Sequence, residues 1–400
     1  MGRRTTPVLT LTNAVLRPAA RSRRDPDRAW ARAVNAAQRE AGVEADKSDQ
    51  DWIEEFRFLL NCVAEVPSLT PIGWISSLND AQQRLVTRLR VRRLHHTHPE
   101  IGAEPIERPI FVVGLPRTAT TLAHRILAMA PGHRGPLRWE MACPDLPVDP
   151  DTERQRVKLA EKANVVTKWA PDFDIVHPVE ATKAEESILL LPQGMYHVLY
   201  HSPMPRYQRW LAERDAAPDY QYLKEVLQVL QHGRDRRRWV LKNPLDLAQM
   251  ATIKRVFPDA TFVWTHRDPI TVMGSLCSLI DLSYSLFLKH IDRAAIGRLA
   301  LEVMTETVES GRSWRQNHRE SIIDVPYHRL NADPDRYVPE LYQKLGATWS
   351  AADAAHLADA LARPVTDRRH EYTIRQFDLT EDQIEAAFGD YLKWVVTLNS

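Results

Sequence analysis

The chain has 400 residues, 44% of them hydrophobic and 26% charged, with 53 basic and 52 acidic side chains for a net charge of +1. Those figures exclude disordered, collagen-like and coiled-coil classes, and a chain with no basic excess is not read as a nucleic-acid binder. Cys62, Cys143 and Cys277 are too few and too far apart for a disulfide framework or a zinc site and suit a reducing compartment, so a cytoplasmic location is expected.

The first 24 residues carry Arg3, Arg4, Arg17, Arg21, Arg23 and Arg24 with no acid. They are read as a basic, partly mobile terminus. No run of 18 apolar residues occurs, so stable membrane insertion is not expected. From about residue 27 to 97 apolar positions recur every three or four residues, as in the stretch from Trp52 to Leu60 and again from Leu78 to Leu94. This predicts an all-helical extension over residues 1–100. The next segment, Pro109–Val113, is a continuous apolar run ending in Gly114, the pattern of a buried parallel strand. A helix follows through Leu122, Ile126 and Leu127. Three further strand-then-helix units begin at Trp239–Leu241, Thr261–Thr265 and Ile322–Val325. Such alternation implies an α/β fold, a P-loop-like parallel sheet flanked by helices, over residues 101–400. A helical insertion is expected at about 150–235.

The turn Gly114-Leu115-Pro116-Arg117-Thr118-Ala119-Thr120-Thr121 joins a strand to a helix N-terminus, where backbone N–H groups and the helix dipole attract an anion. It resembles the triphosphate loop in spacing, but Ala119 replaces the second Gly and Thr120 the Lys. Polyphosphate hydrolysis is therefore poorly supported, and a small-molecule kinase stays only as a rival. A second cationic site lies at the end of the third long strand, in Thr265-His266-Arg267-Asp268-Pro269, with Ser275 two helical turns on. Ligands of open parallel sheets bind at the carboxyl ends of the strands. Two phosphate grips at that edge imply a bis-phosphorylated nucleotide.

From about residue 108 onward these motifs resemble those of the sulfotransferases that use 3′-phosphoadenosine 5′-phosphosulfate (PAPS), and most closely a bacterial group. The matching residues are Val113–Thr121, His266–Pro269 with Ser275, Trp139-Glu140, Trp239–Lys242 and Phe257–Ala260. The resemblance implies PAPS as co-substrate, 3′-phosphoadenosine 5′-phosphate (PAP) as product, and no metal. It implies that Arg117, Thr118, Ala119, Thr120 and Thr121 hold the 5′-phosphosulfate, that Arg267 and Ser275 bind the 3′-phosphate, and that Tyr327 helps hold the nucleotide. Arg368 and Arg369, near His370 and Tyr372, would close over the 3′-phosphate or form a solvated turn. Lys242 would stabilise the leaving group. No His follows Lys242, so Glu140 is expected as the base by likeness to tyrosylprotein sulfotransferases, with capping or ion pairing as its structural alternative. His177, Glu185 and Glu186 are the reserve candidates. Relatives carry Gly at the position of Ala119, which leaves a catalytically silent nucleotide-binding relative as the alternative to an enzyme. The acceptor is expected to be a small phenolic or lipophilic hydroxyl compound. Its pocket is expected among the helical segments on either side of the core, especially 170–215, with Trp169, Phe173, Tyr196, Tyr200, Tyr207 and Trp210 as aromatic walls. Self-association into a homo-oligomer is left open.

Overall fold

A computed structural model describes residues 5–163, 165–173, 179–361 and 373–399. Its centre is a five-stranded, wholly parallel sheet in the order β2-β3-β1-β4-β5, with β1 Ile110–Gly114, β2 His133–Arg134, β3 Arg238–Lys242, β4 Thr261–His266 and β5 Ile322–Pro326. All five residues of β1 are buried because it is the central strand with both faces covered, which is why it reads as an unbroken apolar run. The two-residue β2 had no apolar run to announce it.

Four helices precede the sheet: α1 Pro7–Leu16, α2 Pro26–Ala41, α3 Gln50–Glu65 and α4 Pro71–Thr97. Their buried side chains, among them Trp30, Phe56 and Leu85, form one continuous apolar cluster with Trp239, Leu241 and Phe262 of the sheet. The expectation of a mobile terminus is corrected for residues 7–24, which fold as α1 and a 3-10 turn at Ala19–Arg24. Arg23 explains why: its guanidinium donates to the carbonyls of Ala64, Val66 and Leu69 and so ties the turn to the end of α3.

Helix α5, Thr120–Ala128, follows β1 and packs Ala123, Ile126 and Leu127 against Val112 and Val240 on the opposite sheet face. Between β2 and β3 run α6 Arg138–Ala142, α7 Pro150–Ala163, α8 Val166–Trp169, and the helices Pro205–Glu213 and Ala217–Gln231. The long helix Pro269–Phe287 after β4 is apolar enough to cross a bilayer by composition, yet it is mostly buried inside the fold.

Candidate active site

The loop after β1 is built on backbone that side chains seldom tolerate. Gly114 has φ +137°, and a Cβ there would lie 2.6 Å from the Thr265 carbonyl, so only Gly fits against β4. Arg117 (φ +74°) and Ala119 (φ +68°) are both left-handed. Thr118 is fully buried, donates its hydroxyl to the Leu115 carbonyl at 2.7 Å and meets the Thr265 hydroxyl at 2.6 Å. Its side chain is thus the strut that holds the turn, not an anion ligand, which corrects its expected role to that of its backbone alone. Thr120 and Thr121 open α5, where the first N–H groups have no intrahelical partner.

Ala119 caps α5 in the left-handed region (φ +68°, ψ +25°), the conformation for which its methyl group is least suited. Ala119→Gly should therefore stabilise the fold by about 1 kcal/mol. A rise in the urea unfolding midpoint at unchanged slope would register it; an unchanged or lower midpoint would show the loop unstrained.

The second cationic motif closes on this loop. Arg267 donates from Nη1 to the Arg117 carbonyl at 3.1 Å, while Arg117 Nε donates to the Ser275 hydroxyl at 3.0 Å. Residues 117 and 267 thereby share one cleft at the carboxyl edge of β1 and β4. The Arg267 guanidinium lies over the ring of Tyr327, 4.2 Å from its centroid, a cation–π contact that fixes the plane of the fork. His266 anchors the strand end beneath it: Nε2 is 3.0 Å from Asp324 and Nδ1 is 3.2 Å from the Tyr391 hydroxyl. Burial holds the His266 imidazole below its usual pKa, offset by Asp324, which also pairs with Arg315. Asp268 caps the next helix, accepting from the N–H groups of Ile270 and Thr271 at 3.1 and 3.2 Å.

At the end of β3 stands Lys242, only 1% exposed. Its ammonium donates to the Thr121 hydroxyl at 3.2 Å and pairs with Glu186, so that loop, strand and insertion meet at one charge. Ser187 secures the approach by donating to the Lys242 carbonyl at 3.1 Å. Glu186 also lies within electrostatic reach of Tyr200 and Asp246.

Glu140 is placed differently from its expected part as base. Arg134 Nη2 reaches both carboxylate oxygens, at 2.8 and 2.7 Å, and Oε2 accepts the Leu137 N–H at 3.1 Å. Arg134 in turn lies 4.3 Å over the Trp239 ring, and Trp239 leaves β3 on the face opposite to Lys242 because strand side chains alternate. Glu140 thus caps α6 and ties it to β2. The capped segment positions its neighbour: Arg138 donates its N–H to the Lys183 carbonyl and Pro136 accepts the Glu185 N–H, pairing Leu137 with Ala184 and delivering Glu186 to Lys242. Of the reserve candidates, Glu186 is brought onto Lys242, and Glu185 beside it is buried and accepts the Glu186 N–H at 2.8 Å.

Asp246 lies one turn past Lys242, fully buried. Its Oδ1 accepts from the Tyr220 hydroxyl at 2.7 Å and from Asn243 at 2.6 Å, whereas Oδ2 has no partner. Burial pushes this carboxyl up to about 7. An unfolded aspartate titrates near ~3.9, so between about pH 4 and 7 the folded state holds the extra proton and stability falls as pH rises. Asp246→Asn should remove that fall and leave the variant about 2 kcal/mol more stable than the parent at pH 8. Urea melts at pH 5 and 8 check this; equal pH dependence in both proteins would place the titration elsewhere.

Beside Tyr200 opens a cavity of about 410 Å³. Its walls come from Tyr196 and Tyr200 of the insertion, but also from Trp52 of α3, Asp80 and Arg84 of α4, and Phe287. The N-terminal helices therefore help build the cavity, a contribution that periodicity alone did not reveal. The other expected aromatics are packed elsewhere: Tyr207 and Trp210 against Phe58, and Trp169 and Phe173 beside Leu282 and Leu286. His177, Arg368, Arg369, His370 and Tyr372 lie outside the described residues. Among the described residues no three His, Cys, Asp or Glu side chains are grouped to hold a metal ion.

Comparison with known proteins places this geometry. Residues 109–351 match the profile described as "Sulfotransferase family". Over 254 residues the chain is 28% identical to the omega-hydroxy-beta-dihydromenaquinone-9 sulfotransferase Stf3 of Mycobacterium tuberculosis and of Mycobacterium bovis, a match covering 60% of this chain. It spans 62% of the length of those curated relatives. The crystal structure of sulfotransferase STF9 from Mycobacterium avium superposes with a TM-score of 0.79 at 29% identity, over 90% of this chain and 95% of that one. Sulfotransferase STF1 from Mycobacterium tuberculosis gives a TM-score of 0.76 at 27% identity, over 90% and 98% of the two chains.

Proposed function

The chain belongs to the sulfotransferase family, and on that footing we propose that it transfers the sulfuryl group of PAPS to a hydroxyl of a small lipophilic acceptor, releasing PAP. The observation that carries this reading is the interlock of Arg267, Arg117 and Ser275, two anion-binding arms joined in one cleft, with the Lys242–Glu186 pair next to the same loop. In this reading Arg267 and Ser275, with Tyr327 beneath the guanidinium, take the 3′-phosphate. The backbone of the 117–121 loop, the Thr120 and Thr121 hydroxyls and Arg117 take the 5′-phosphosulfate.

The reaction is an in-line displacement at sulfur, which calls for positioning and charge neutralisation more than for covalent catalysis. The acceptor oxygen bonds to sulfur as the bond from sulfur to the 5′-phosphate oxygen breaks, and the electron pair stays on that phosphate. Lys242, already on Thr121, stabilises the charge developing there. Glu186 receives the acceptor's proton: it is the carboxylate paired with Lys242, and its charge is felt at Tyr200, which lines the cavity. Aromatic and aliphatic walls suit a lipophilic acceptor, and a relative whose name gives omega-hydroxy-beta-dihydromenaquinone-9 as substrate supports a hydroxyl on such a molecule. All three cysteines are free, which supports a cytoplasmic site of action.

The test is transfer of label from radiolabelled PAPS to a panel of long-chain alcohols, phenols and sterols. Labelled product and PAP in equal amounts support the proposal. PAP binding without transfer to any acceptor would favour a silent relative, and transfer dependent on ATP and magnesium would favour a kinase.

A further inference from the structure

Large apolar side chains rarely stand in solvent on this protein, and among the described residues they gather in one place. Val8, Leu11 and Val15 of α1 are 49, 66 and 69% exposed, and only Leu159 and Val396 elsewhere join them. At 100° per residue the three fall within about 60° of one another, a single stripe along the helix. The stripe does not come from a frayed end, because the opposite side of α1 is fixed. Leu9 is buried, Asn13 accepts the Ile72 N–H of α4 at 3.0 Å, and Thr6 donates its N–H and hydroxyl to the carbonyls of Trp169 and Lys168 at 2.8 and 2.7 Å.

The segment that follows supplies charge. Residues 5–24 contain four arginines and no acid. Arg23 is spent inside on three carbonyls, whereas Arg17, Arg21 and Arg24 are exposed. Arg21 and Arg24 lie three apart in a 3-10 turn, whose side chains eclipse at that spacing, so they share one edge. The nearest acid, Asp25, is committed as the cap of α2, accepting the Arg28 N–H at 3.0 Å. A rigid apolar stripe followed at once by outward cations is the pattern of a helix lying at a membrane interface.

We propose that α1 and the turn after it form a docking surface for an anionic phospholipid bilayer, with Val8, Leu11 and Val15 entering the boundary between headgroups and acyl chains and Arg21 and Arg24 meeting lipid phosphates. A second copy of the chain would bring further arginines and no acid from the same segment to the contact, whereas anionic lipid neutralises them. The convex stripe needs no matching groove, as a protein partner would require, and a planar lipid surface receives it directly. Three apolar side chains and two cations give reversible, salt-sensitive attachment rather than insertion. Helix α1 packs on α4, and α4 lines the cavity, so docking would bring that cavity close to the bilayer. The proposal itself rests on α1 and its arginines alone, not on the reading of the cleft.

The experiment is co-sedimentation of the full chain with vesicles, without nucleotide or acceptor. Vesicles of phosphatidylglycerol and phosphatidylcholine in equal parts should carry the protein down, pure phosphatidylcholine should not, and added salt should release it. Leu11→Ser with Val15→Ser should lower the bound fraction by about tenfold. Substituting Arg21 and Arg24 by Gln should lower it by about fivefold per residue. Both variants should keep the parent's unfolding midpoint, and the arginine variant tests the proposal even if the apolar one folds poorly. The proposal is overturned if the parent ignores anionic vesicles, or if both variants bind as the parent does. A parent dimer that Leu11→Ser with Val15→Ser converts to monomer, with no vesicle binding, would also overturn it. PAP titration of the same variants reads the nucleotide cleft separately, so the two readings can fail independently.

Discussion

Glu186→Gln should lower turnover by roughly 10²–10⁴-fold while leaving PAP affinity within a few-fold of the parent, because the substitution removes the proton acceptor and keeps the shape. The control is Glu140→Gln. Its carboxylate holds Arg134 and caps α6, so the expected loss is in stability, about 1–3 kcal/mol for a buried charge-assisted pair with one partner weakened. Its kcat per folded molecule should change little. The opposite result, with Glu140→Gln inactive at full stability and Glu186→Gln active, would return the base to Glu140 and leave Glu186 as a partner of Lys242.

Lys242→Met should be the most damaging single change at the cleft. The ammonium touches both Thr121 of the loop and Glu186 of the insertion. Removing a pre-organised charge aimed at a developing anion costs roughly 10²–10³-fold in kcat. Leaving Glu186 without its cation in a largely buried site should also destabilise the fold by about 3 kcal/mol. Lys242→Arg would not restore activity, since a planar fork cannot occupy the point position between the two oxygens. Steady-state kinetics on protein verified as folded distinguishes the two losses. Full turnover in Lys242→Met would remove the residue from the chemistry.

Much of the fold was legible because burial on both faces writes itself into composition. Ile110–Gly114 and Thr261–His266 are apolar runs because each is flanked by strands and covered by helices. The loop was legible through Gly114 and its threonines, and the second arm through His266-Arg267-Asp268. What sequence spacing could not give was which charges meet across the chain. Glu186 lies 56 residues before Lys242, and only the pairing of 136–138 with 183–185 brings them together. Glu140 did carry a local signal, a carboxylate at the third position of a helix, which favours capping. The left-handed turn at Ala119 was foreseeable only as a conditional, since φ is not written in an alanine. The cavity wall from α4 escaped because its stripe of residues reads simply as a core-facing helix until the insertion is seen to lie against it.

In the proposed complex Arg267 and Ser275 grip the 3′-phosphate of a nucleotide whose 5′ end lies on the 117–121 loop. Calorimetric titration of the parent and of Arg267→Ala with PAP and with adenosine 5′-monophosphate, which lacks the 3′-phosphate, tests it most directly. Arg267→Ala should weaken PAP by about 10–100-fold, the worth of a charge-assisted contact, and leave the monophosphate's affinity nearly unchanged. Equal weakening of both ligands, or of neither, would contradict it.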